Sequence, residues 1–331
     1  MLLKNIVIGA LMAIPALASA NSLTETRERM AIEQQAIAYT VSQKWDKLDA
    51  MFQEYNTGFP TTSGGTHKLV IAWGGIYNLF SVDVSDNGIS GVAKEWLKAN
   101  PKSTGARLLQ AMVFDAKAVN LRGEGAASTV DSDIWPKYKK LMIQEKEYLL
   151  KNKDIADKDV TWYQEMEMEM EMVARNLEDK ELLYSTLEEA SKKYPAYQNI
   201  YIEAMVARLP KWGGSPEEVE KIARVAAEKN KDQSGLSYYA YIWSNAIHYQ
   251  PELMALLNKR QIVSWDDMLQ GWRDRYKQFP SPRTLNNILI TSCIARDKDS
   301  FVKADKMIQG ETERDTWPQG LNYRECQQSF Q

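Results

Sequence analysis

Apolar residues recur every three or four positions over most of this chain, the spacing that turns one face of an α-helix toward a core. The first such stretch runs from about Leu23 to Tyr55, where Val41, Trp45, Leu48, Met51, Phe52 and Tyr55 share one broad stripe. Residues 56–65, rich in Gly, Thr and Asn around Pro60, cannot continue a helix and read as a loop. Lys68 to Phe80 fits a helix or a strand by periodicity alone, and its Gly74-Gly75 pair weakens the helical reading. Ser81 to Ser90 is a loop turning at Asp86-Asn87-Gly88. A helix from Val92 to Lys98 stops at Asn100-Pro101, because a residue before proline avoids helical angles.

Further helices are expected over Ser103–Leu121, Trp135–Asn152, Thr161–Asn176, Lys180–Lys193 and Tyr197–Leu209. Ser215-Pro216-Glu217-Glu218 is a helix start, with Ser215 as N-cap, Pro216 in the first turn and Glu218 placed to close a capping box. That helix runs to about Asn230. Ser237–Tyr249, a helix capped by Ser264 and running to Phe279, Leu285–Ala295 and Ser300–Ile308 complete the set. No segment demands a sheet: the two-residue alternation of Glu165–Met172 would suit a strand, but its flanks, Trp162-Tyr163 and Val173-Ala174, and the helix propensity of Glu and Met favour a helix. Short loops between helices favour antiparallel pairs, so the fold expected is all-α, a degenerate tetratricopeptide-like helical array resembling an α-solenoid. Proline follows an aromatic at Tyr194-Pro195 and Phe279-Pro280, a helix ending familiar in such repeats. One domain over 21–331 is expected; if it has two lobes, the polar stretch 152–158 is the hinge.

The N-terminus departs from this pattern. Lys4 precedes an apolar run from Ile6 to Leu17, too short to span a bilayer, and Ala18-Ser19-Ala20 is a small-residue cleavage site. Residues 1–20 therefore read as a cleavable signal peptide that sends the chain to the periplasm or outside. Losing Lys4 with it moves the formal charge from −3 to −4. Such a mildly acidic, evenly mixed chain has no electrostatic footprint for nucleic acid, and no second apolar run is long enough to span a membrane. The only two cysteines, Cys293 and Cys326, read as one disulfide in an oxidising compartment, tying the tail to an earlier helix. The 10 Trp and 16 Tyr read first as helix packing, second as binding platforms.

The stretch Leu209-Pro210-Lys211-Trp212-Gly213-Gly214-Ser215 before an acidic helix resembles a motif of an uncharacterised bacterial helical family, a domain of unknown function with tetratricopeptide-like architecture. Ser63-Gly64 before Lys68-Leu69, Trp96 ahead of Asn100-Pro101 and Ser103, Arg122-Gly123, and Tyr194-Pro195 with Tyr197 fit the same resemblance. These pieces extend from about residue 45 to residue 245. The resemblance implies a helical domain and carries no catalytic residue.

Candidate chemistry is sparse. The run from Glu165 to Met172 alternates Glu and Met; on a helix Met166 pairs with Met170 and Met168 with Met172, a thioether set that could hold Cu(I). The competing reading is a helix buried on two sides, with Met filling irregular gaps. His67 and His248 stand alone, without a zinc-binding or triad pattern. Glu188-Glu189, Asp266-Asp267 and Asp297 with Asp299 could serve a glycan-cleaving enzyme only if two acids faced across a groove. Arg208, Lys211 and Trp212, at a helix break, form the candidate partner-facing patch. The residues thus favour a non-enzymatic protein–protein interaction role with no cofactor, no metal and no catalytic residues assigned. An immunity protein against a periplasm-acting toxin and an envelope-glycan enzyme are the alternatives.

Overall fold

The computed structural model describes residues 25–123, 129–155, 158–173, 177–308 and 317–330, with the side chains of 169–173, 177 and 178 left aside. It is an all-α array without a strand among the described residues. Residues 1–20, read from the sequence as a signal peptide, lie outside them. The helices are α1 (25–41), α2 (Trp45–Asn56), α3 (Lys68–Phe80), α4 (Ile89–Ala99), α5 (Thr104–Arg122), α6 (Ile134–Lys151), α7 (Thr161–Val173) and α8 (Leu177–Lys193). They continue with α9 (Gln198–Ala207), α10 (Pro216–Ser234), α11 (Ser237–Tyr249), α12 (Met254–Asn258), α13 (Trp265–Gln278), α14 (Pro282–Ile294), α15 (Lys298–Ile308) and α16 (Tyr323–Ser329).

The chain divides into two compact units, one of residues 29–60 and 67–207, the other of 25–28, 61–66 and 208–330 among those described. In the first unit α4 packs on α5, α5 on α6, α6 on α7, and α7 on both α8 and α9. Its centre is an aromatic cluster: Phe52 stacks on Trp73 at 4.3 Å and on Trp96 at 5.8 Å, and Trp45 stacks on Trp96 at 5.9 Å. The ambiguous segment 68–80 is helical, and Gly75 lets α3 approach the backbone of Glu33 in α1. A Cβ there would sit 3.1 Å from the Glu33 Cα.

One expectation needs correction. The single helix expected from Leu23 to Tyr55 is two helices, broken at Gln43 with φ 52°. No Gly or Pro marks the break; a left-handed residue makes it. A boundary between the units falls at Ala207/Arg208. In the first unit Lys158 and Val160 are tied to α2. The Asn56 amide donates to the Lys158 carbonyl, its oxygen accepts from the Val160 N–H, and Trp162 Nε1 donates to the Leu149 carbonyl at 2.8 Å.

The other unit stacks α10, α11, α13, α14 and α15, each on the next, with α16 against α14. Trp243, Trp272, Tyr239, Leu289 and Phe301 fill its interior. Ser215, Ser264 and Ser281 cap α10, α13 and α14, each accepting the N–H three residues on. Cys293 and Cys326 form the expected disulfide between α14 and α16, with a Cα–Cα distance of 5.7 Å.

Candidate functional site

In α11, Tyr241, Ser244, Asn245 and His248 are spaced by three and four residues, so they share one helix face. Trp272 and Arg275 project from α13, and Arg283, Asn287 and Thr291 from α14. All of these line one cavity of about 260 Å³, closed on other sides by Gly64, Thr66 and Pro318. The loop wall is fixed by α1: Glu25 accepts from the hydroxyls of Thr62 and Thr66, both at 3.2 Å, and Glu28 from the Ser63 N–H at 2.7 Å. Gly64 lies so close to the Glu25 carboxylate that a Cβ would fall 1.9 Å from its oxygen.

The polar groups of the wall hold one another. Ser244 Oγ donates to Asn287 Oδ1 at 3.2 Å, Asn245 donates to the Tyr241 carbonyl at 2.8 Å, and Thr291 donates to the Asn287 carbonyl at 2.7 Å. Arg275 differs. It is 5% exposed, its guanidinium lies 4.2 Å from the Tyr241 ring and 5.3 Å from the Phe279 ring, and it makes no ion pair or hydrogen bond with a described residue. Burial pulls it below the ordinary guanidinium range; Tyr241, Tyr238 and Glu25 oppose that shift and Arg283 adds to it. No carboxylate of the described residues lines this cavity. The arrangement offers positive charge, hydroxyls and amides between aromatic faces. Ser244, the nucleophile type on this wall, is turned to Asn287.

Of the three residues expected to face a partner, Arg208 is 0% exposed and grips Glu218 with two donors, Nη2 at 2.7 Å and Nε at 3.2 Å. Lys211 lies 5.4 Å from the Trp212 ring and 5.8 Å from the Tyr249 ring, and donates to the Tyr249 carbonyl. Tyr249 also lines the cavity. Lys211 and Trp212 therefore sit beside its rim, while Arg208 holds the corner behind them. In α7, Trp162, Tyr163, Glu165, Met166 and Glu167 are all buried and Met168 is half-buried. The Met170 and Met172 side chains lie outside the described residues. Among the described residues no cluster of His, Cys, Asp and Glu could hold a metal ion.

His67 is packed between Phe59 and Tyr197; its Nε2 accepts from the Gln198 N–H, so Nδ1–H donates to the Phe59 carbonyl. The paired acids singled out in the sequence are frame elements. Glu188 pairs with Lys192, Glu189 with Lys153, and Asp267 with Arg224; Asp297 caps α15. A second cavity, in the other unit, is lined by Asp49 and Asp159. Asp49 accepts from Asn100 and Ser103, and Asp159 from the Thr161 N–H, so both secure loop ends.

Residues 35–159 match a family described as Domain of unknown function (DUF4034). The matched stretch holds Ser63-Gly64, Trp96, Asn100-Pro101 and Arg122-Gly123. The Leu209–Ser215 motif and all of the Arg275 cavity's lining except Gly64 and Thr66 lie beyond it. No curated protein and no solved structure is significantly similar to the chain.

Proposed function

We propose that this chain is exported to the periplasm and acts there as a non-enzymatic helical-repeat protein that recognises a protein or peptide partner. The supporting observation is the Arg275 cavity, where the polar faces of three helices converge on one recess with aromatic walls and an exposed rim at His248, Tyr249 and Arg283. The Cys293–Cys326 disulfide and the signal-like residues 1–20 support the compartment. No helix among the described residues is long and apolar enough to cross a membrane.

A photo-crosslinking amino acid at position 249 in the native host tests the reading. One dominant adduct, absent when the label is moved to exposed Glu228 on α10, is the expected result; a toxin in that adduct would make the protein an immunity factor. No adduct above the control would overturn partner recognition. Mass spectrometry of the exported protein should show Asn21 as its first residue, and an intact Met1 would overturn the signal assignment.

A further inference from the structure

The geometry points to the Trp272–Arg275 wall of this cavity as a receptor for a neutral amide group of a bound peptide. This deepens the partner reading and rests on it for the peptide as the carrier of that group.

Two donors of α13 carry the argument. Trp272 Nε1 and Arg275 Nη1 are both enclosed, and neither has a hydrogen-bond acceptor among the described residues. The two residues are three apart on one helix face, and both line the same cavity. Buried donors are normally satisfied, because an enclosed N–H without an acceptor has lost its hydration and gained nothing for it. Trp243, Trp265 and Trp317 of this same unit follow that rule, their Nε1 atoms donating to Glu220, Asp297 and Asn286. What Trp272 and Arg275 lack is an acceptor in contact, not a counter-charge. Glu25 acts on Arg275 and favours its charged form, while its carboxylate takes the Thr62 and Thr66 hydroxyls. A neutral acceptor therefore suffices, and a carbonyl oxygen has two lone pairs, one for each donor. The Tyr241 ring, 4.2 Å from the guanidinium, fixes the plane in which Arg275 can donate. The same wall holds the complement: Asn245 gives its nitrogen to the Tyr241 carbonyl, which leaves its side-chain oxygen to take an amide N–H. A carboxylate has no N–H to offer that oxygen. The volume of about 260 Å³ admits a group the size of one residue, not a folded domain.

The experiment uses the exported, disulfide-intact chain with isotope-labelled tryptophan and follows the indole N–H signals of its 10 Trp by NMR. Trp272→Phe keeps an aromatic ring and removes the donor, so the signal it abolishes belongs to Trp272. The probes are N-acetylglycinamide as the peptide mimic, N-acetylglucosamine, glucose and acetate, at constant ionic strength. A saturable downfield shift of the Trp272 signal with N-acetylglycinamide is expected, with the other three at least tenfold weaker. Trp272→Phe should weaken binding of the amide by roughly tenfold, the loss of one hydrogen bond from an enclosed donor. The wild-type titration is decisive by itself. No saturable binding of the amide, or a Trp272 signal unmoved at saturation, would overturn the proposal. Acetate binding as tightly would make the site an anion receptor, and N-acetylglucosamine binding as tightly would move it to envelope glycan; either result overturns the peptide assignment, as would equal amide binding by wild type and Trp272→Phe. The crosslinking result is independent. An adduct without amide binding would remove this inference and leave the partner reading, and amide binding without an adduct would do the reverse.

Discussion

Arg208 and Arg275 are both buried arginines of one unit, and what surrounds each decides its role. Arg208 turns its donors onto Glu218 and the Gly213 carbonyl, so it braces the turn that leads into α10. Removing the carboxylate would strand that charge; Glu218→Ala should cost about 3 kcal/mol in urea unfolding, and a loss under 1 kcal/mol would contradict the bracing role. The adjacent glycines separate two kinds of constraint. Gly214 is needed for space, since a Cβ would lie 2.0 Å from the Arg208 carbonyl oxygen, while Gly213 has open space and a φ of 85°. Gly214→Ala should therefore cost about 2–3 kcal/mol through forced backbone movement, and Gly213→Ala about 1 kcal/mol through its left-handed angle. The reverse order on a denaturant series would refute the steric argument. The sequence marked this corner correctly as a helix break rich in Arg and Trp. Burial is a property of the packed chain, so the spacing of Arg208, Lys211 and Trp212 could not show that Arg208 faces inward.

At the scale of elements, helix existence was legible wherever apolar spacing ran for three turns, as in α5, α10 and α13. Short elements were not. α12 spans five residues and α16 seven, too few for a periodic signal, and both are held by their neighbours. The cavity was hidden for a related reason: Tyr241, Arg275 and Asn287 belong to three helices, and only their packing brings them to one wall. The polar positions Ser244, Asn245 and His248 within an otherwise apolar α11 were the available sign. The Met–Glu run of α7 has a physical consequence of its own. Burial raises the carboxyls of Glu165 and Glu167 well above their ordinary range, and pushes Asp159, just before the helix, up to about 6. A carboxyl whose folded pKa exceeds its unfolded value of about 3.9 lends stability fully below that value and loses it as pH rises through 6. The difference of about 2 units corresponds to about 3 kcal/mol. Asp159→Asn should thus gain up to about 3 kcal/mol over the wild type at pH 8 relative to pH 4. The same stability difference at both pH values would show that Asp159 is not titrating in a buried site.

On the scale of the whole molecule, the disulfide joins compartment, tail and site. α16 is too short to hold its own helix, and side-chain attachments keep it in place. They include the Cys293–Cys326 bond, the Phe301–Phe330 ring contact at 5.0 Å and the Tyr323 hydroxyl on Asp305. The same tail carries Trp317, which donates to Asn286, and Pro318, a wall of the Arg275 cavity. The covalent tie and the cavity wall thus lie on one tail, and a chain kept reduced would lack that tie. Cross-linking residues 33 apart gives about 3–4 kcal/mol in the chain-entropy account. Cys293→Ala with Cys326→Ala should lower unfolding stability by about that amount and expose the tail to protease, while α10, α11 and α13 stay protected. Mass spectrometry of a limited digest would read this directly: selective release of peptides beyond residue 308 is expected. Equal protection of the tail with and without the bond would mean that aromatic packing alone holds it, and that the cavity forms regardless of redox state.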